Sequence, residues 1–105
     1  MELTSKQRAQ LRGLANGIDT IVHIGKDGIT DNLVKQAGDA LEARELIKCK
    51  VQENAMLTAR EACTELARLT RSEEVQVIGT KFVLYRQHYD KSKRKIELIR
   101  DRKTK

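Results

Sequence analysis

The chain has no proline and no tryptophan, and its aromatic residues are limited to Phe82, Tyr85 and Tyr89. No proline-rich or serine-rich linker divides the 105 residues, a length suited to one domain with one core. Cysteine is nearly absent: Cys49 and Cys63 are separated by thirteen residues, and His23 and His88 are the other soft ligands. That spacing offers no Cys-x-x-Cys, so no disulfide framework, metal or cofactor is expected, and both thiols read as small core residues on apolar stripes. No apolar run approaches the ~18 residues that cross a bilayer, which argues against a membrane partner. The first ten residues are polar where a signal peptide is apolar, and the expected compartment is the cytoplasm.

What is abundant is charge, with 21 basic and 15 acidic residues. The excess is local. Residues 91–105 carry eight basic side chains against two acidic ones, whereas residues 1–90 are balanced. The apolar pattern also stops near Asp90, so the chain is divided into a domain, 1–90, and a basic tail, 91–105. A basic excess suits nucleic acid as partner, although a solubilising end would produce the same count.

Thr4 and Gln7 form a capping box, and Leu11, Leu14 and Ala15 recur at helical spacing until Asn16-Gly17. Thr20 to Ile24 is β-branched and stops at Gly25, as a strand would. Thr30 caps a second helix with an apolar stripe at Leu33, Val34, Ala37 and Leu41, ending near residues 42–44. Leu46 to Val51 alternates, with Ile47, Cys49 and Val51 on one face and Lys48 and Lys50 on the other. Thr58 and Glu61 open a third helix. Val75 to Ile78 and Lys81 to Gln87 read as strands joined by Gly79-Thr80, a two-residue loop of type II′. The order α-β-α-β-α-β-β implies an α+β fold: a four-stranded mixed sheet in a two-layer α/β sandwich. Lys48 and Lys50 give one sheet face polar character, so the helices are expected on the other face alone.

The unit Ile24-Gly25-Lys26-Asp27-Gly28-Ile29-Thr30 carries the most chemical information. Two glycines permit a tight turn and close backbone approach, and the helix that follows directs free N–H groups and its positive dipole end outward. This is a phosphate-facing design, with Lys26 adding a full charge. It is not a nucleotide-hydrolysing P-loop, because Thr20 and Asp27 stand where that motif needs Gly and Ser or Thr. A Gly-x-x-G clamp on a nucleic-acid backbone fits better, with a plain strand-to-helix turn as the alternative. Arg8 and Arg12, one turn apart on the first helix, and Lys6 beside them supply a further positive surface, which Lys48, Lys50 and Arg86 would extend. With three aromatics and no RNP1 pattern, backbone and shape recognition of structured RNA is expected in preference to base stacking.

Catalysis has little support. His23 precedes the loop and His88 follows the last strand, so a ribonuclease using both imidazoles, with Lys26 steadying the phosphate, is one alternative. Nothing in the spacing unites them, and no paired acidic motif, nucleophile elbow or H-E-x-x-H is present. A protein-interaction domain that uses the open sheet face is the other alternative.

Five blocks carry a family resemblance: Leu3 to Arg8 with Leu11 to Ala15, Ile24 to Ile29, Leu41 to Lys48, Gln76 to Gly79, and Leu84 to Arg86. In this order they resemble the CRM domain in its stand-alone bacterial YhbY-like form, over residues 1 to about 89. The resemblance implies a fold similar to the C-terminal domain of bacterial translation initiation factor three. It also implies RNA binding through Gly25, Lys26, Asp27 and Gly28, and association with precursors of the large ribosomal subunit; with catalytic motifs lacking, a non-enzymatic binder is expected. Two positions depart from the family pattern: Thr20 stands where proline is frequent, and Asp27 where glycine or a basic residue is usual. The sequence leaves the oligomeric state open and favours a monomer.

Overall fold

The computed structural model describes residues 2–100. Three helices and four strands alternate as α1 (Ser5–Ala15), β1 (Thr20–Ile24), α2 (Asp31–Arg44), β2 (Leu46–Val51), α3 (Ala59–Thr70), β3 (Glu73–Ile78) and β4 (Lys81–Tyr85), followed by a 3₁₀ turn at Lys91–Lys93. A threonine opens each helix. Thr4 and Thr58 form complete capping boxes with Gln7 and Glu61, and Thr30 accepts from Leu33 N at 3.1 Å. Gly79 turns the final hairpin at φ +59° with Thr80 on the negative side, the combination a type II′ turn needs.

The sheet order is β1-β2-β4-β3. β1 and β2 are parallel, and β4 lies antiparallel between β2 and β3. The mixed sheet expected from the element order is therefore present, with the hairpin folded inward so that β3 forms an edge. β3 begins at Glu73, two residues before its apolar pattern, because Glu73 pairs with Tyr85 and Glu74 with Leu84.

Two hydrophobic clusters occupy opposite faces of this sheet. Ile47, Cys49, Val51, Phe82 and Leu84 meet Leu33, Ala37 and Leu41 of α2 and Ala62, Cys63 and Leu66 of α3. Leu46, Val75, Val83 and Tyr85 point the other way, against Leu3, Leu11 and Ala15. The expectation that helices cover one face alone is thus corrected: α1 lies across the second face. Alternation within β2 suggested a polar face, but that face becomes apolar where Leu46 aligns with Tyr85 on β4. α1 covers this apolar end and leaves the lysine end of β2 open.

Chain packing continues beyond the change in composition at residue 90. Ile96 and Leu98 lie against the second cluster. Gln7 and Gln10 of α1 bond the backbone of the same segment at Ile99 O, Glu97 O and Ile99 N, over 2.9–3.0 Å. Residues 94–99 thus form a strap along α1, whereas residues 101–105 of the basic tail lie outside the described residues.

Candidate nucleic-acid interface

Ile24 is fully buried and pairs with Val51, so the chain leaves the sheet at Gly25. Gly28 N donates to Gly25 O at 3.0 Å, which closes a four-residue turn with Lys26 and Asp27 exposed at its tip. The two glycines differ in role. Gly28 has φ +70°, a conformation that costs an L-residue about 1–2 kcal/mol. Gly25 has no such demand, and a Cβ there would meet only Asn54 Oδ1 at 4.0 Å, so its missing side chain leaves backbone open to approach. The turn leads directly to α2, where Thr30 satisfies one free amide and the other first-turn amides, with the dipole, remain at the loop end. Thr30, and not Asp27, is the helix cap.

Lys50, Gln52 and Asn54 continue from this turn, lining an open cleft of about 650 Å³ with Val51, Glu53 and Thr80. Gln52 joins cleft to strand: its N–H donates to Ile24 O at 2.8 Å, and its side-chain amide lies 2.9 Å from His23 Nδ1.

The remaining basic residues do not converge on the loop. Arg8 reaches the opposite sheet edge, where its guanidinium donates to Glu74 O on β3. Glu74 aligns through Leu84 with Ile47. Arg8 is therefore separated from the turn by three strand spacings and by most of the length of β2, roughly 20 Å. Arg12 follows one helical turn later, half-buried, and Lys6 is exposed. Arg86 does not extend a binding surface. It donates to Thr70 O at 2.7 Å and Gly38 O at 3.0 Å, and pairs with Glu42 at 3.4 Å, clamping α2 and the end of α3 together.

The two histidines are also held apart. His23 sits opposite Lys50 at the loop end of the sheet, while His88 lies beyond Tyr85, whose partner is Leu46 at the other end. His88 is buried, its Nδ1 accepts from Asp90 N at 3.0 Å, and its Nε2 lies 2.9 Å from Glu42 Oε2. Both ring nitrogens are engaged in structure, and a general acid–base pair with His23 has no geometric basis.

Glu45 is a role the residue pattern did not reveal. It ends α2 at φ +68°, is almost fully buried, and its carboxylate accepts from His88 N, Lys95 N and Ile96 N at 2.7–2.9 Å. The signal was available only as a charged residue between Leu41 and the apolar start of β2.

Residues 3–86 match the CRS1 / YhbY (CRM) domain family. The chain is 42% identical over 96 residues to the Probable RNA-binding protein YqeI of Bacillus subtilis, covering 91% of this chain and 98% of that protein. It is 36% identical over 84 residues to an RNA-binding protein of Haemophilus influenzae, covering 80% of this chain and 85% of the other. The solution structure of protein SAV1595 from Staphylococcus aureus superposes with a TM-score of 0.74 at 45% identity, covering 91% of this chain and 100% of that one. The helix-opening Thr4, the Gly25–Gly28 turn and the β2–β4–β3 hairpin arrangement all lie within the matched span, and the chain belongs to the CRS1 / YhbY (CRM) domain family.

Proposed function

We propose that this protein binds RNA without cleaving it, gripping the backbone at Gly25–Gly28, and that its RNA is structured ribosomal RNA in precursors of the large subunit. The observation that carries the reading is the turn itself: an exposed Lys26 between two glycines, at the opening of α2, in a family whose relatives bear RNA-binding names. Phosphate oxygens would meet the open backbone at Gly25, the first-turn amides of α2 and the Lys26 ammonium. Asp27 and Asp31 oppose this attraction, which suits a binder that is released when assembly proceeds. The basic residues of α1, Lys6 and Arg12 above all, would meet a second part of a large RNA and cannot share a phosphate with the loop. A monomer in the cytoplasm fits this role.

Crosslinking in cells followed by sequencing of the bound RNA tests the proposal. Enrichment of large-subunit ribosomal RNA, with the protein sedimenting in precursor fractions of a sucrose gradient, is expected. Recovery of no RNA above background overturns RNA binding, while RNA of other classes overturns the ribosomal assignment alone.

A further inference from the structure

Strand register assembles a row that the linear sequence does not display. His23 on β1 aligns with Lys50 on β2, Lys50 with Lys81 on β4, and Lys81 with Ile78 on β3. Val22 and Ile24 are buried in the first cluster, as are Cys49, Val51 and Phe82. Alternation therefore turns His23, Lys50 and Lys81 toward the second face. Lys48 lies on the same face two residues back along β2. α1 stops short of this row: Ala15 and Asn16 border a small cleft with Lys48, Gln76, Ile78 and Lys81.

Among the described residues, no ion pair joins Lys26, Lys48, Lys50 or Lys81 to a carboxylate. Glu53 shares the neighbouring cleft with Lys50 without pairing with it. Adjacent strands lie about 4.8 Å apart, so the Lys50 and Lys81 side chains leave the sheet as direct neighbours, an arrangement that is unfavourable between opposed like charges, and His23 stands in line with them. A polyanion relieves that repulsion along its whole length, and a single small anion does not.

We propose that this open end of the second sheet face is a second RNA-phosphate site, formed by His23, Lys50 and Lys81 with Lys48 behind them. The site rests on the RNA-binding reading above and deepens it. One strand would pass from the Gly25–Gly28 turn, which directly follows His23 and Ile24, across β1, β2 and β4. Gln52 holds the His23 ring by its Nδ1 and leaves Nε2 to donate to phosphate. The row contains no Phe, Tyr or Trp and is dominated by lysine, so its main contribution is contact with the RNA backbone. RNA is favoured over an acidic protein because the row is continuous with a turn whose backbone and helix amides suit phosphate.

The test is fluorescence anisotropy with a labelled hairpin RNA bearing single-stranded flanks, with affinity measured at several KCl concentrations from about 50 to about 200 mM. Lys50→Gln with Lys81→Gln removes two charges and keeps the apolar stems. Binding is expected to weaken at least tenfold, and the slope of log K against log salt to fall by about 1.4 if the contacts are to single-stranded RNA. The single variant Lys81→Gln, at an exposed position, should lower the slope by about 0.7 and serves if the double variant melts early. Binding by the unaltered chain with the same slope in folded variants overturns the row alone. No binding by the unaltered chain overturns the RNA reading and the row together. Preference of the row for a poly-glutamate peptide over RNA, lost in the same variants, also overturns it.

Discussion

Glu45 Oε1 accepts the backbone N–H of Ile96 at 2.9 Å, across 51 positions of sequence. The same oxygen accepts Lys95 N at 2.8 Å, and Oε2 accepts His88 N at 2.7 Å. One buried carboxylate thus fixes the exit of β4 and the start of the strap. Charge-assisted hydrogen bonds of this kind are the stronger ones, and leaving a buried amide without a partner costs about 1–3 kcal/mol. Glu45→Gln replaces one acceptor with a donor facing an N–H group. It should lower stability by roughly 2–3 kcal/mol in chemical denaturation, with faster amide exchange at His88, Lys95 and Ile96. Unchanged exchange at all three amides would contradict this role.

The strap predicts a sharp difference between two truncations. Removing residues 91–105 strips Ile96 and Leu98 from the cluster around Leu11 and Tyr85, and leaves Glu45 without two donors. Loss of the two apolar contacts alone is worth about 2–4 kcal/mol, since each side chain is only partly buried. Removing 101–105 leaves these named contacts in place and should therefore lower the melting temperature less than the longer truncation. Thermal melts of both truncated chains decide the matter, and equal melting temperatures would show that the strap adds no stability.

Stability should also fail on the alkaline side. Burial, reinforced by the neighbouring Cys63, raises the Cys49 thiol from 9.0 to about 12. Burial, then Glu74, raises Cys63 from 9.0 to about 12. Tyr85 rises from 10.0 to about 12 through burial and the adjacent Glu45. In each case the unfolded chain releases its proton first, while the folded chain still holds it. The stability contributed by these groups is therefore fully present below pH 9 and declines as pH rises toward 12, by up to roughly 1.4 kcal/mol per pH unit for each group. Replacing both cysteines by alanine should move the onset of the decline from near pH 9 to near pH 10, where Tyr85 begins. Urea denaturation followed by circular dichroism from pH 7 to 11 reads this directly, as a midpoint that shifts with pH in one chain earlier than in the other.

Features set by neighbouring residues were legible in the sequence. Thr4 with Gln7, Thr58 with Glu61, and Gly79-Thr80 each specify a local geometry within four residues, and each forms as read. Alternation from Leu46 to Val51 identifies a strand, yet it cannot say what lies over Leu46. That depends on Val83 and Tyr85 arriving beside it through the inward-folded hairpin, and hence α1 was assigned no place on the second face. Ile96 and Leu98 were hidden for a related reason: among basic residues they form no periodic stripe, because they pack as an irregular strap. The Gly25–Gly28 turn was visible as a motif. The row of His23, Lys50 and Lys81 was not, since its members are 27 and 31 positions apart and meet only through register.

Within the Gly25–Gly28 turn two opposite charges stand side by side, Lys26 and Asp27. Asp27 is exposed beside Lys26 at the tip of the turn, and Thr30 already caps α2, so the carboxylate has no structural duty that its replacement would remove. If phosphate lies about 6 Å from it, at an effective dielectric near 40 the repulsion is about 1.4 kcal/mol before screening. Asp27→Lys should therefore tighten RNA binding severalfold with an unchanged melting curve. Lys26→Ala should loosen it, by up to about tenfold at low salt. Gly28→Asp places a carboxylate at φ +70° on the approach path, and should nearly abolish binding while costing about 1 kcal/mol of stability. Aspartate is among the residues that tolerate this conformation, so the domain stays folded and the loss is one of binding. Titrating ribosomal RNA fragments against the three variants, with a melt of each, separates charge from fold: three stable variants with parental affinity would place the RNA-binding surface elsewhere than this turn.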